Sequence, residues 1–104
     1  MIADTPAPRY YAVILTSLRT NSDHGYNAMA ECMAALAALQ PGYLGAETAR
    51  EGVGITVSYW RDLASVQAWK VQADHLVAQH TGQSQRHARY TTRIANVVRD
   101  CTFN

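Results

Sequence analysis

The chain is short of charge. Asp, Glu, Lys and Arg make up 16% of its 104 residues, 9 basic against 8 acidic. No basic block or stripe occurs, so neither a nucleic-acid surface nor a patch for anionic membranes is expected. Cysteine is scarce as well. Cys32 and Cys101 lack the spacing of a metal site, and two free thiols in a reduced cytoplasm are expected. No apolar run approaches the roughly 20 residues a membrane helix needs. The stretch Met1 to Pro8 has neither the charged region nor the apolar run of a secretory signal. A Gly-rich phosphate loop, a nucleophile elbow, a paired-carboxylate motif, internal repeats and low-complexity segments are also missing.

What is present is globular: 48% of the residues are hydrophobic. The length predicts one domain, which buries roughly 60–65% of its unfolded surface. Residues 1–8, with Pro6 and Pro8, read as an extended tail ahead of a single domain over 9–104.

Tyr10 to Leu18 is β-rich and apolar at both alternating sets of positions, as in a strand covered on two sides. Asn21, Ser22 and Asp23 offer helix caps. The helix they announce carries Tyr26, Met29, Ala30, Met33, Leu36 and Ala37 at helical spacing and stops before Pro41-Gly42. Tyr43 to Glu51 and Val53 to Trp60 flank Gly52 and read as an antiparallel hairpin.

Asp62 caps a second helix with the stripe Leu63, Val66, Trp69, Ala73, Leu76 and Val77. This helix is expected to run past Gln79 and to weaken or kink near Gly82. Tyr90 to Cys101 is rich in β-branched residues and reads as a last strand. The order β-α-β-β-α-β is the ferredoxin-like α+β plan, a four-stranded antiparallel sheet with two helices on one face.

That plan leaves one sheet face bare. In the first strand Tyr11, Val13 and Leu15 share one face, and Ala12, Ile14 and Leu18 share the other. Both are apolar, so the bare face would be a sticky patch. Packing two such faces across a two-fold axis removes it, and a homodimer is therefore expected.

Several residues carry a family resemblance: Gln40-Pro-Gly-Tyr-Leu-Gly-Ala-Glu47, then Ser58-Tyr-Trp60 at a strand end, Ala68-Trp-Lys70, His75 and the final Arg93-Ile94. In these the chain resembles the antibiotic-biosynthesis-monooxygenase (ABM) domains of the dimeric α+β barrel superfamily. The resemblance runs from Tyr10 to Arg99. It implies the same fold, a homodimer through the sheet face, and a small aromatic or quinol-like substrate oxygenated with no metal or organic cofactor. It also admits two other readings. One is a non-catalytic dimer that binds a small apolar ligand or serves a stress response; the other is heme binding. Heme-degrading members pair a Trp and a proximal His with an Asn on the first strand. Tyr10 to Arg19 contains no Asn, and His80 stands one residue further from Trp69 than that pair requires.

His75 matches the family's recurrent His and is the candidate base, since imidazole titrates near neutral pH. Arg93 is the candidate stabiliser of a developing anion. Tyr59, Trp60 and Trp69 are candidate walls of a substrate pocket. Trp69 and His80 fall on one helix face, because eleven residues advance about 1100°, close to three whole turns. That pair either lines a ligand cavity against the sheet or packs as core. His75 lies about 240° round from Trp69, so its alternative is a structural hydrogen bond to a loop or to the dimer partner. For Arg93 the alternative is a solvated charge at the sheet edge. His75 and His80 are five apart, not the four that converge on a metal, and no metal site is expected. Cys32 has no cationic neighbour in sequence to lower its pKa, so a reactive thiol is not expected.

Overall fold

The structure, a computed structural model, describes the backbone of residues 2–18, 26–84 and 89–103 and the side chains of 2–18, 31–49, 51–76 and 90–103. Six elements follow one another: β1 (Tyr10–Leu18), α1 (Tyr26–Ala38), β2 (Tyr43–Glu51), β3 (Val53–Trp60), α2 (Leu63–Ser84) and β4 (Arg89–Val97). The sheet order is β2-β3-β1-β4 with every neighbouring pair antiparallel. This is the ferredoxin-like α+β fold.

Register decides which residues share a face, because partners directly across an antiparallel pair point the same way. Tyr11 pairs with Trp60, and Val13 with Ser58 and Ile94; these point toward the helices. Ala12 pairs with Tyr59 and Ala95, and Ile14 with Val57 and Arg93; these lie on the face without helices.

The core forms where the helices meet the first of these sets. Val13, Ala37, Trp60, Val66 and Trp69 are buried together, with Tyr11, Met33, Leu36, Tyr43 and Ala73 packed around them. Trp60 is wholly buried. Its ring stacks on Trp69 at 5.8 Å between centroids and takes the edge of Tyr43 at 5.5 Å. Its indole N–H donates to Ser58 Oγ at 2.9 Å, so the burial leaves no orphaned donor.

Short-range chemistry sets the joints. Asp62 Oδ1 accepts from the Ser65 N–H at 2.8 Å, and the Asp62 carbonyl accepts from the Val66 N–H at 3.2 Å. That is the N-cap that Asp62 was expected to provide. The bonds from Ser65, backbone N–H first, hold the Asp62 carboxyl below its usual range. Before this cap, Gly42 has φ +86°, and a β-carbon there would overlap Ser65 Oγ. The Gly42 carbonyl accepts from the Arg61 N–H at 2.8 Å. The Pro41-Gly42 turn is thus pressed against the first turn of α2. Gly52, at φ +80°, turns the β2–β3 hairpin.

Two expectations need revision. The last strand stops at Val97 instead of reaching Cys101. Val97 pairs with Tyr10, the first residue of β1, so residues beyond it have no neighbouring strand. Leu63 does not join the buried stripe but stands 45% exposed, directly after the cap. As expected, α2 runs past Gln79; it ends at Ser84, two residues beyond Gly82. The caps expected at Asn21, Ser22 and Asp23 lie outside the described residues. No described helix is long and apolar enough to cross a membrane.

Candidate functional site

The bare face of the sheet carries two features. At the end where β1 begins, the N-terminal residues cross the strands and build a polar cluster. The Ala3 N–H donates to Glu47 Oε2 at 2.9 Å, over β2. Tyr59, on β3, donates its phenol to Glu47 Oε1 at 2.7 Å. Thr5 donates to Tyr10 Oη at 3.0 Å, and Tyr10 donates to Asp100 Oδ2 at 2.5 Å. The two phenol rings meet edge to face at 5.8 Å. Tyr10 is only 4% exposed.

These contacts set the acid–base character of the cluster. Burial, then the hydrogen bond to Glu47, pushes the Tyr59 phenol up to about 12. The hydrogen bond to Asp100 raises Tyr10 above its ordinary value. The bonds from Tyr59 and from the Ala3 N–H hold Glu47 below the usual carboxylate range. Both phenols are therefore neutral donors at neutral pH, each locked on a carboxylate, and neither acts as a base there.

The second feature lies at the opposite end of β1, where a concavity reaches from the bare face round to the helix-facing residues Ser17 and Tyr90. Its volume is about 230 Å³, and Thr16, Ser17, Leu18, Val53, Tyr90, Thr91 and Arg93 line it. Leu18, Val53 and Tyr90 supply half-exposed apolar surface. Arg93 is exposed, and among the described residues it has no ion pair.

The candidate residues divide between the two sides of the sheet. Trp60 and Trp69 come together, but as stacked core, with Trp60 sealed from solvent. Tyr59 and Arg93 share the bare face on opposite sides of β1, about 12 Å apart from two strand spacings and a two-residue offset along the strand. His75 is exposed on α2, in the helix layer. A ligand resting on Arg93 is thus separated from His75 by the sheet. The His80 side chain lies outside the described residues. Among the described residues no group of His, Cys, Asp or Glu is arranged to hold a metal ion. Cys32 and Cys101 are free and exposed.

Sequence reasoning missed Glu47, Tyr10 and Asp100. Hairpin arithmetic locates the first, since β2 and β3 partners around Gly52 place Glu47 opposite Val57, one same-face step from Tyr59. No local signal points to Asp100, which is 90 residues from Tyr10.

The class of the molecule follows from its architecture. It shares its fold with SnoaB, a cofactor-independent oxygenase from Streptomyces nogalater, with a TM-score of 0.66 at 14% identity over 91% of this chain and 97% of that one. A dimeric ferredoxin-like protein from an uncultured marine organism gives 0.63 at 14% identity over 90% of this chain and 100% of that one. No family model matches the chain. The chain belongs to the family of YqjZ, an uncharacterized protein of Bacillus subtilis (strain 168). The two are 43% identical over 104 residues, covering 98% of this chain and 91% of that one.

Proposed function

We propose that the chain is an ABM-type protein of the dimeric α+β barrel superfamily. It works as a homodimer through its bare sheet face and oxygenates a small aromatic or quinol-like substrate without a metal or organic cofactor. The observation that carries this reading is the fold shared with SnoaB, a cofactor-independent oxygenase, along 91% of the chain. Such a reaction draws its electrons from the substrate. A phenol in equilibrium with its anion passes electrons to O2; an activated CH2 becomes C=O, and the second oxygen atom leaves as water with the two hydrogens. The protein's share is a base, an apolar surface and a cation for the anion.

Arg93 is the proposed cation, because it stands unpaired among the described residues beside the apolar surface of Leu18 and Val53. Tyr59 shares the bare face with Arg93 and is the proposed neighbour of the substrate; Trp60 and Trp69 back the sheet as core, and His75, the base the resemblance implies, stands across the sheet from Arg93. The buried Trp stack favours a second reading, a non-catalytic dimer that binds a small apolar ligand, since a filled core offers Trp60 no contact with substrate.

Oxygen uptake with a panel of hydroquinones and anthrones separates the two. Turnover above buffer is expected, falling about tenfold or more in Arg93→Ala, and His75→Ala decides whether the imidazole acts from the other side of the sheet. Unchanged turnover in His75→Ala removes the imidazole from the mechanism. If no substrate drives uptake while an apolar dye still binds, the binding dimer replaces the oxygenase.

A further inference from the structure

Where β1 begins, the bare face is already covered. Tyr10 and Ala12 lie on it, yet each is only 4% exposed. Part of the cover is residues 2–9, which join no strand. Burial alternates at the start of this strap: Ala3 and Thr5 are half-buried, whereas Ile2, Asp4 and residues 6–9 are exposed.

Ala3 has a made seat. β2 breaks register between Tyr43 and Gly45. A β-carbon at Gly45 would stand 3.2 Å from that of Ala3, so the strap rests where β2 carries no side chain. The Ala3 N–H reaches Glu47 Oε2, while the Tyr59 phenol takes Oε1. Thr5 donates to Tyr10 Oη. Among the described residues these two bonds, from Ala3 and from Thr5, tie the strap to the domain. A segment held by two bonds and no ladder opens locally at far lower cost than the domain unfolds.

The groups beneath the strap suit a ligand. Glu47 Oε2 is a charged acceptor whose donor here is the Ala3 N–H, and charge-assisted bonds are the strong ones. Beside it the Tyr10 and Tyr59 rings, edge to face at 5.8 Å, and the bare Gly45 backbone offer surface on which an aromatic ring packs. The Glu47 and Asp100 carboxylates repel an anion.

The geometry points to a ligand seat beneath the strap: Ala3 stands in for the hydroxyl or amino donor of an aryl ligand, which binds Glu47 and Tyr59 when residues 2–9 lift. The strap is thus a built-in competitor. The link to the function proposed above is Tyr59, there a neighbour of the substrate; Arg93 and its concavity are not part of this seat. Binding is read without turnover, so loss of the seat and loss of the oxygenase reading are separate results.

Phenol and anisole, which share a ring and differ in the donor, are the probes. A chain lacking residues 2–8 should bind phenol about tenfold or more tightly than the unaltered chain in calorimetry, because a site open in about a tenth or less of the molecules loses at least that factor. Ala3→Pro keeps the strap but removes its donor, and should move the affinity the same way. It decides the matter should the shortened chain fail to fold by circular dichroism. Anisole should gain less than phenol in the shortened chain, and Glu47→Gln there should shrink the difference. In the unaltered chain, phenol should speed amide hydrogen exchange at Ala3, because the ligand displaces the strap. Equal phenol affinity with and without the strap and its donor, with Ala3 exchange unmoved, overturns the seat. So does a shortened, folded chain that binds no phenol.

Discussion

At the scale of single residues, two kinds of aromatic group do different work. Trp69 holds Trp60 by stacking inside the core, and such ring pairs add about 0.5–1.5 kcal/mol beyond the area they bury. Trp69→Ala removes the partner and leaves a void, so a loss of about 3–5 kcal/mol is expected in chemical denaturation. Trp60 emission should shift to the red as water reaches its ring. A small loss coupled to impaired ligand binding would instead mark Trp69 as a pocket wall. Tyr59 is tuned by its neighbours. Because its folded value is raised from 10.0 to about 12, its contribution to stability is intact below pH 10 and is lost as pH climbs toward 12. Glu47 works in the opposite sense. Its folded value lies below the ordinary 4.5, so its contribution is intact above pH 4.5 and is lost as pH falls through the depressed value. Glu47→Gln should lower the Tyr59 value without returning it to 10.0, because burial is the larger cause and survives the substitution. Ultraviolet tyrosinate titration, with Tyr59→Phe as the subtraction, reads this directly. An unmoved titration would separate Tyr59 from Glu47.

At the scale of elements, the joint between the Pro41-Gly42 turn and α2 is tightly constrained. Gly42 needs its positive φ, and Ser65 occupies the space a side chain would take. Gly42→Ala therefore meets a backbone penalty of roughly 1–2 kcal/mol and an overpacking penalty of roughly 1–3 kcal/mol. A drop in Tm with a folded circular dichroism spectrum is expected, and an unchanged Tm would show that the turn yields freely. This joint was legible in sequence, because Pro41-Gly42 and Asp62 are local signals whose chemistry acts within a few residues. The hairpin about Gly52 was legible for the same reason. The end of β4 was not, since Val97 stops the strand only because β1 begins at Tyr10, and that pairing is non-local. The candidate site was less legible still. Helical angles placed Trp69 toward the sheet, but they could not show that Trp60 fills the space beside it. The Tyr10–Asp100 bond joins the two ends of the domain, where no periodicity reaches.

At the scale of the molecule, the bare face is a surface the two helices leave uncovered. Ile55 and Leu18 stand in an apolar field that the helices do not cover. A patch of this kind on a small chain favours association, and covering it costs no new fold. The helix layer also exposes apolar residues, Val71 at 69% among them, so exposure alone does not mark an interface. The difference is continuity: Ile55 lies in a row with Thr16 and Ala49 and beside rows holding Ile14, Val57, Leu18 and Val53. Val71 follows Lys70, whose ion pair with Asp74 is exposed. Ile55→Asp should then convert a dimer to a monomer in sedimentation at micromolar concentration while leaving circular dichroism unchanged. Val71→Asp, an equal change in charge at a more exposed position, should leave the assembly intact. If Ile55→Asp stays dimeric and Val71→Asp does not, the helix layer is the interface and the bare face has another occupant.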